Sequence, residues 1–167
     1  MLINGSTPIQ LRGTFSLVRG DTTLSIPIKA VTADWDIRRN QQLPEPRPPM
    51  TFVRDAKGLL ARDEAGKVMQ TEDTGDQAYR QAAATHNTLL LVAYIYAGTV
   101  ETDGFAWSAD KSVFVQSPRQ FYQDLLAEIV DSGISQGELR AWFQAIYRLS
   151  NLTQEDVAAA AASFQRN

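Results

Sequence analysis

Apolar side chains recur along this chain with two periods, and the change of period divides it. Ile9, Leu11, Phe15 and Leu17 fall on alternate positions, with Gly13 interrupting the row. After Arg19-Gly20-Asp21-Thr22, Leu24, Ile26 and Ile28 alternate again. Period two on both sides of a turn predicts a β-hairpin with one buried face. Pro27 has no N–H to donate, so its position should face outward on an edge strand. A lone hairpin is marginal in water; this one must lie on helices, join a third strand or pair with another chain. Arg19-Gly20-Asp21 is also the tripeptide associated with integrin binding, but a turn by itself calls for Gly and Asp there.

From residue 76 onward the apolar spacing becomes three and four. Tyr79, Ala83, His86, Leu90, Ala93 and Ala97 make one stripe of a helix over residues 76–97, widened by Leu89, Val92 and Ile95, with Gly98 placed for the C′ cap. Three more helices follow, over residues 118–132, 136–149 and 154–164. Ser117-Pro118 reads as an N-cap with proline at the first helical position. Phe121, Tyr122, Leu125, Leu126, Ile129 and Val130 form a double stripe that Gly133 ends. Ser135 with Glu138 is a capping box opening a second double stripe of Leu139, Trp142, Phe143, Ile146, Tyr147 and Leu149. Thr153 caps the last helix, Glu155 and Asp156 sit at its positive end, and Val157, Ala161 and Phe164 form its apolar edge. The connections are short, so neighbouring helices should pack antiparallel or at a steep angle.

Between these regions the pattern is weaker. Residues 32–40 suit a short helix, with Thr32 as N-cap and Trp35 facing inward. Leu43-Pro44-Glu45-Pro46-Arg47-Pro48-Pro49 ends it and favours an extended polyproline path. A stiff connector is the favoured reading of that strut, and a ligand for an aromatic groove is the alternative. Thr51-Phe52-Val53 suits a third strand; residues 54–75, with turn signals at Lys57-Gly58 and Glu64-Ala65-Gly66-Lys67, suit a long hairpin or a mobile loop, and mobility is expected there. Phe105, Trp107, Phe114 and Val115 should hold residues 99–116 over the helices as a loop or short strand pair. The expected fold is α+β, mainly α: an amino-terminal β-hairpin or small sheet followed by a bundle of about four helices. The expected division is an amino-terminal β segment with short helix and strut over residues 1–53, a mobile loop over 54–75 and a helical domain over 76–167.

Composition narrows the chemistry. With 167 residues, 44% hydrophobic and 21% charged, the chain suits one ordinary globular domain. The net charge is −3 with signs interspersed, so no basic stripe announces nucleic acid, and Arg38-Arg39 is too small a patch to track phosphates. There is no cysteine, which removes disulfides, thiolate nucleophiles and cysteine-based metal sites. No signal-peptide pattern follows Met1, and the longest apolar run, residues 89–98, is about half of what a membrane span needs, so a soluble protein outside the membrane is expected. His86 is the only histidine and sits among alanines and leucines; a partly buried helix residue is the favoured reading over a general base. Asp34/Asp36, Asp63/Glu64, Glu72/Asp73 and Glu155/Asp156 lie at helix starts or in polar loops, where solvated acids are ordinary. No phosphate loop, dinucleotide fingerprint or nucleophile elbow occurs. No catalytic residue, cofactor or metal is expected, and an enzyme is the least favoured reading; its site would lie around Asp103, Trp107 and Asp110.

The proline strut closing a β segment and short helix, the charged loop after it, the helix opening at Asp76-Gln77-Ala78-Tyr79, and Leu149-Ser150-Asn151-Leu152-Thr153-Gln154-Glu155-Asp156-Val157 closing at Ser163-Phe164 together resemble the tail assembly chaperones of long-tailed bacteriophages. The likeness spans residues 28–164. It implies a small, helical, oligomer-forming, non-enzymatic protein. Such a protein coats the tape measure protein before the tail tube polymerises, acts in the cytoplasm of the infected host and is missing from the mature virion. It also raises a frameshifted longer form, in which case Gln165-Arg166-Asn167 would end the short one. An amphipathic tape measure helix would need an apolar groove; the residues expected to line it are Tyr122, Leu126, Trp142, Ile146 and Phe164. A structural tail or virion subunit and a non-enzymatic adaptor binding through the proline strut are the alternatives.

Overall fold

The computed structural model of the chain describes residues 11–151. It is α+β and mainly α, in the order β1 (Arg12–Arg19), β2 (Thr22–Lys29), α1 (Trp35–Gln42), β3 (Met50–Phe52), β4 (Gln70–Glu72), α2 (Gln77–Thr99), α3 (Lys111–Gln116), α4 (Pro118–Asp131) and α5 (Gln136–Ser150). The helix expected over residues 154–164, with Val157, Ala161 and Phe164, lies outside the described residues.

β1 and β2 form the expected hairpin, antiparallel with Phe15 opposite Ile26 and Leu17 opposite Leu24. Phe15, Leu17, Ile26 and Ile28 are buried, whereas Leu24 near the turn is exposed. The hairpin meets the marginality of two strands by lying on helices: it packs against α2 and α5 and, among the described residues, joins no third strand. Arg19 reaches across to α5, donating to both carboxylate oxygens of Glu138 and to the carbonyls of Ser132 and Gly133, which uses the arginine of the Arg-Gly-Asp turn inside the fold.

The helix caps follow sequence chemistry closely. The Ser117 hydroxyl accepts from the Gln120 N–H with Pro118 in the first turn, and Ser135 and Glu138 form the reciprocal capping box. Gly133 takes a positive φ of 71° beyond α4. Three expectations need correction. α1 opens at Trp35 with Asp34 before it; Thr32 instead accepts from the Arg38 guanidinium. Of the loop and the short strand pair expected over residues 99–116 the structure has the loop, but it ends in a short helix, α3, that Asp110 caps. Gly98 is no C′ cap, because α2 continues through Thr99. A Cβ on Gly98 would lie 2.6 Å from Ile146 Cγ2, so this glycine lets α5 close on α2.

The core forms where α2, α4, α5 and the hairpin meet. Trp142 of α5 lies between the Phe15 ring, stacked at 5.8 Å, and the Trp107 ring, stacked at 5.8 Å on the other side, with Phe105 edge-on at 5.9 Å. Trp107 is held in turn by its indole N–H, which donates to the Thr99 hydroxyl at 3.0 Å. The start of α4 (Phe121, Tyr122) packs on the end of α2 through Tyr96.

Residues 50–72, where the sequence left a long hairpin or a mobile loop open from residue 54 onward, carry hydrogen-bonded turns and strand pairs. Val53 donates to the Met69 carbonyl, Met69 to Ala61 and Ala61 to Val53, which closes a ring of three backbone hydrogen bonds among residues spaced by eight along the chain, the closing bond spanning sixteen. Three antiparallel pairs radiate from it: Phe52 with Gln70, Arg54 with Leu60, and Arg62 with Val68. The lobes beyond Arg54 and Arg62 are copies of one another. In each, an aspartate (Asp55, Asp63) accepts two backbone N–H groups, and an arginine (Arg54, Arg62) donates to the carbonyl of a glycine with positive φ (Gly58, Gly66). The third strand seen in the sequence is therefore part of this three-lobed arm and does not join the hairpin sheet.

Gly98→Ala should destabilise the protein by about 1–3 kcal/mol despite the better helix propensity of alanine, because the new methyl meets Ile146. Chemical denaturation checks this, and Ile146→Ala should offset part of the loss in the double variant. Asp63→Ala should loosen one lobe by about 1–2 kcal/mol. Hydrogen exchange would then quicken at Ala65 and Lys67 while the helical melting temperature holds.

Candidate functional site

Four of the five residues expected to line a partner groove are described, and the structure separates them. Tyr122, Trp142 and Ile146 are interior, with 3%, 1% and 0% of their surface exposed. The chain's own segments took those places: Phe15 and Trp107 cover Trp142, Gly98 receives Ile146, and Phe114 and Tyr96 pack on Tyr122. The Tyr122 hydroxyl donates to Gln42 Oε1 at 2.9 Å, and burial pushes its pKa up. Leu126 is half-buried against the core, and Phe164 lies outside the described residues.

A groove does exist, one row further round α5. It runs between α2 and α5, is closed at one side by Val31 and Trp35, and has a volume of ≈ 890 Å³. Leu90, Tyr94 and Leu139 form its floor, and Phe143 and Tyr147 continue it toward Asn151. Its aromatics are ordered by mutual contact: Tyr94 meets Trp35 edge-on at 4.7 Å and Phe143 at 5.0 Å, and Phe143 stacks on Tyr147 at 5.8 Å. Tyr147 keeps 48% of its surface exposed, unusual for a side chain so placed among rings. Its polar lining includes Asn87, Thr88, Gln136 and Ser150, and the Ser150 hydroxyl is occupied by the Val31 N–H and the Ile146 carbonyl. The α5 wall, residues 136–151, is ~24 Å long at 1.5 Å per residue. A helix ~10 Å across, sunk to half its depth over that length, displaces roughly 900 Å³. The groove therefore matches one face of one helix.

A second apolar surface lies on the arm, where Met50, Phe52, Leu59, Leu60 and Met69 are all exposed.

The residues considered for catalysis are engaged elsewhere. Asp103 faces Arg12 at 3.4 Å on the surface, Asp110 caps α3, and Trp107 belongs to the core stack. Asp34 pairs with Arg38, and hydrogen bonding from Thr32 leads in holding its carboxyl below the usual range. Glu138 has its pKa drawn down to about 2, first by the Ser135 backbone N–H and then by the Ser135 hydroxyl and Arg19, so its acidity belongs to a helix cap. Among the described residues no group of three or more His, Asp or Glu side chains is placed to hold a metal ion. No helix among them is long and apolar enough to cross a membrane.

His86 is buried in α2, and its Nδ1 has no hydrogen-bond partner. Burial is the main force lowering its pKa; Glu45 opposes this, while Arg119 and Arg39 add to it. No family model, curated protein or solved structure matches this chain.

Burial lowers the His86 pKa in the folded protein, so around and below its ordinary value of 6.5 the unfolded chain binds more protons there. Its contribution to stability is complete above that pH and is lost as pH falls toward the depressed folded value. Melting temperatures should therefore drop between about pH 7 and pH 5, and His86→Gln should flatten that step.

Proposed function

We propose that this protein is a non-enzymatic helix-binding chaperone of phage tail assembly, and that it receives an amphipathic segment of the tape measure protein in the groove between α2 and α5. The observation that carries this reading is the open groove itself. Its aromatic and aliphatic floor is left uncovered among the described residues, and its volume fits one helix face. Aromatic anchors at the centre of such a surface supply most of the affinity in interfaces of this kind, and here Phe143 and Tyr147 hold those positions. The likeness of the strut, the helix opening and the residue 149–157 segment to tail assembly chaperones supplies the identity of the partner. The exposed apolar side chains on the arm support association with further chains, as an oligomer would require. In this reading the protein acts in the host cytoplasm while tails are built and leaves before the virion is complete.

Co-expression tests the proposal. The chain should keep the tape measure protein in the soluble fraction and co-purify with it, and finished particles should lack it. Tyr147→Ala should weaken the complex by roughly tenfold to thirtyfold, as expected for loss of an aromatic anchor worth about 2 kcal/mol, with the melting temperature little changed. Unchanged solubility of the tape measure protein overturns the proposal, and recovery of the chain from purified virions at stoichiometric amounts would make it a structural subunit instead.

A further inference from the structure

The charge on the groove specifies its guest further, on the reading that it binds a helix. The protein as a whole is acidic, with a net charge of −3. The charged residues that line this groove are nonetheless both cations, Arg39 and Arg140. They differ in state. Arg39 is committed to its own helix: its guanidinium lies 5.3 Å from the Trp35 ring centre and donates to Asn40 Oδ1. Arg140 is exposed on the rim of α5, one turn from Phe143, and no acceptor or carboxylate holds it among the described residues.

The first turn of α5 lies at the same end of the groove, with its dipole offset by the capping carboxylate of Glu138. The groove at Gln136 coincides with the amino-terminal end of that helix, where the backbone dipole is positive, while its other end, at Ser150 and Asn151, coincides with the negative carboxyl terminus. The groove is thus apolar along much of its lining, with the exposed Arg140 near one end.

We propose that the guest is an amphipathic helix with carboxylate side chains flanking its apolar stripe at the end that passes Gln136 and Arg140. A carboxylate there pairs with Arg140 in a two-pronged, charge-assisted contact beside Phe143, and a lysine there meets an uncompensated guanidinium. The arginine thereby sets which helix binds and which way round it lies, while the aromatic floor supplies the affinity.

Three designed 15-residue helical peptides test this, with one shared apolar stripe and Glu, Gln or Lys at the flanking positions of one end. Binding to the full chain is followed by fluorescence anisotropy at low and high salt. The Glu peptide should bind about tenfold more tightly than the Lys peptide at low salt, with Gln between them, and the gap should narrow as salt rises. Arg140→Gln should remove the preference and Arg140→Glu should reverse it; both changes sit on an exposed side chain, and an unchanged melting temperature shows that the fold is kept. Moving the Glu residues to the opposite end of the peptide should lose the gain. Equal binding of all three peptides overturns the charge selection but leaves the groove reading intact. Binding of none of them overturns the groove reading as well. Sedimentation showing a second copy seated in the groove that no peptide displaces would overturn the proposal in favour of self-association.

Discussion

Trp142 is the side chain on which the assembly of this fold depends. It is the point where segments far apart in the chain meet: Phe15 from the hairpin stacks on one face, Trp107 from the connection after α2 stacks on the other, and Phe105 closes the edge. Each such ring pair adds about 0.5–1.5 kcal/mol beyond the burial of area. Among the described residues the hairpin has no further strand beside it, so its packing on α5 and α2 is what joins it to the rest of the protein. Trp107 in turn draws in Thr99, and with it the last turn of α2. The close approach at Gly98 and Ile146 is the neighbouring part of the same seam.

The groove is the other face of that arrangement. Once Leu139, Trp142 and Ile146 turn toward the hairpin and α2, the adjacent row of α5 turns outward, and Phe143 and Tyr147 are left half-covered beside Tyr94 and Trp35. These rings order one another, so the surface is already shaped in the folded chain. An apolar floor with cations among its lining suits recognition of a segment by its amphipathic pattern more than by an individual sequence.

Much of the fold was legible along the chain because its signals are local. Alternation in β1 and β2, the serine caps of α4 and α5 and the glycine after α4 each depend on a few neighbouring residues, and each acts in the structure as the residues imply. The arm was legible in part, through its turn signals at Lys57-Gly58 and Glu64-Ala65-Gly66-Lys67, and a repeat lies behind them. Val53-Arg54-Asp55-Ala56-Lys57-Gly58 and Ala61-Arg62-Asp63-Glu64-Ala65-Gly66 share the Arg-Asp-x-x-Gly phrase at a spacing of eight, and that repeat is the sign of its paired lobes. The candidate site was half legible. Two apolar rows on α5 can be counted in the sequence, and Phe143 and Tyr147 belong to them as much as Trp142 and Ile146 do.

The sequence by itself determined the mainly helical α+β class, the caps, the hairpin and a surplus of apolar rows on the last described helix, because these follow from period, backbone preference and side-chain chemistry within a few residues. Only the tertiary structure decided which row was sealed. That choice rests on Phe15 and Trp107 reaching α5 from distant segments and on Gly98 admitting Ile146, contacts with no trace in local spacing. The same packing turned Phe143, Tyr147 and Arg140 together onto one open wall, because residues three and four apart share a helix face only after the rest of the chain has claimed the opposite one.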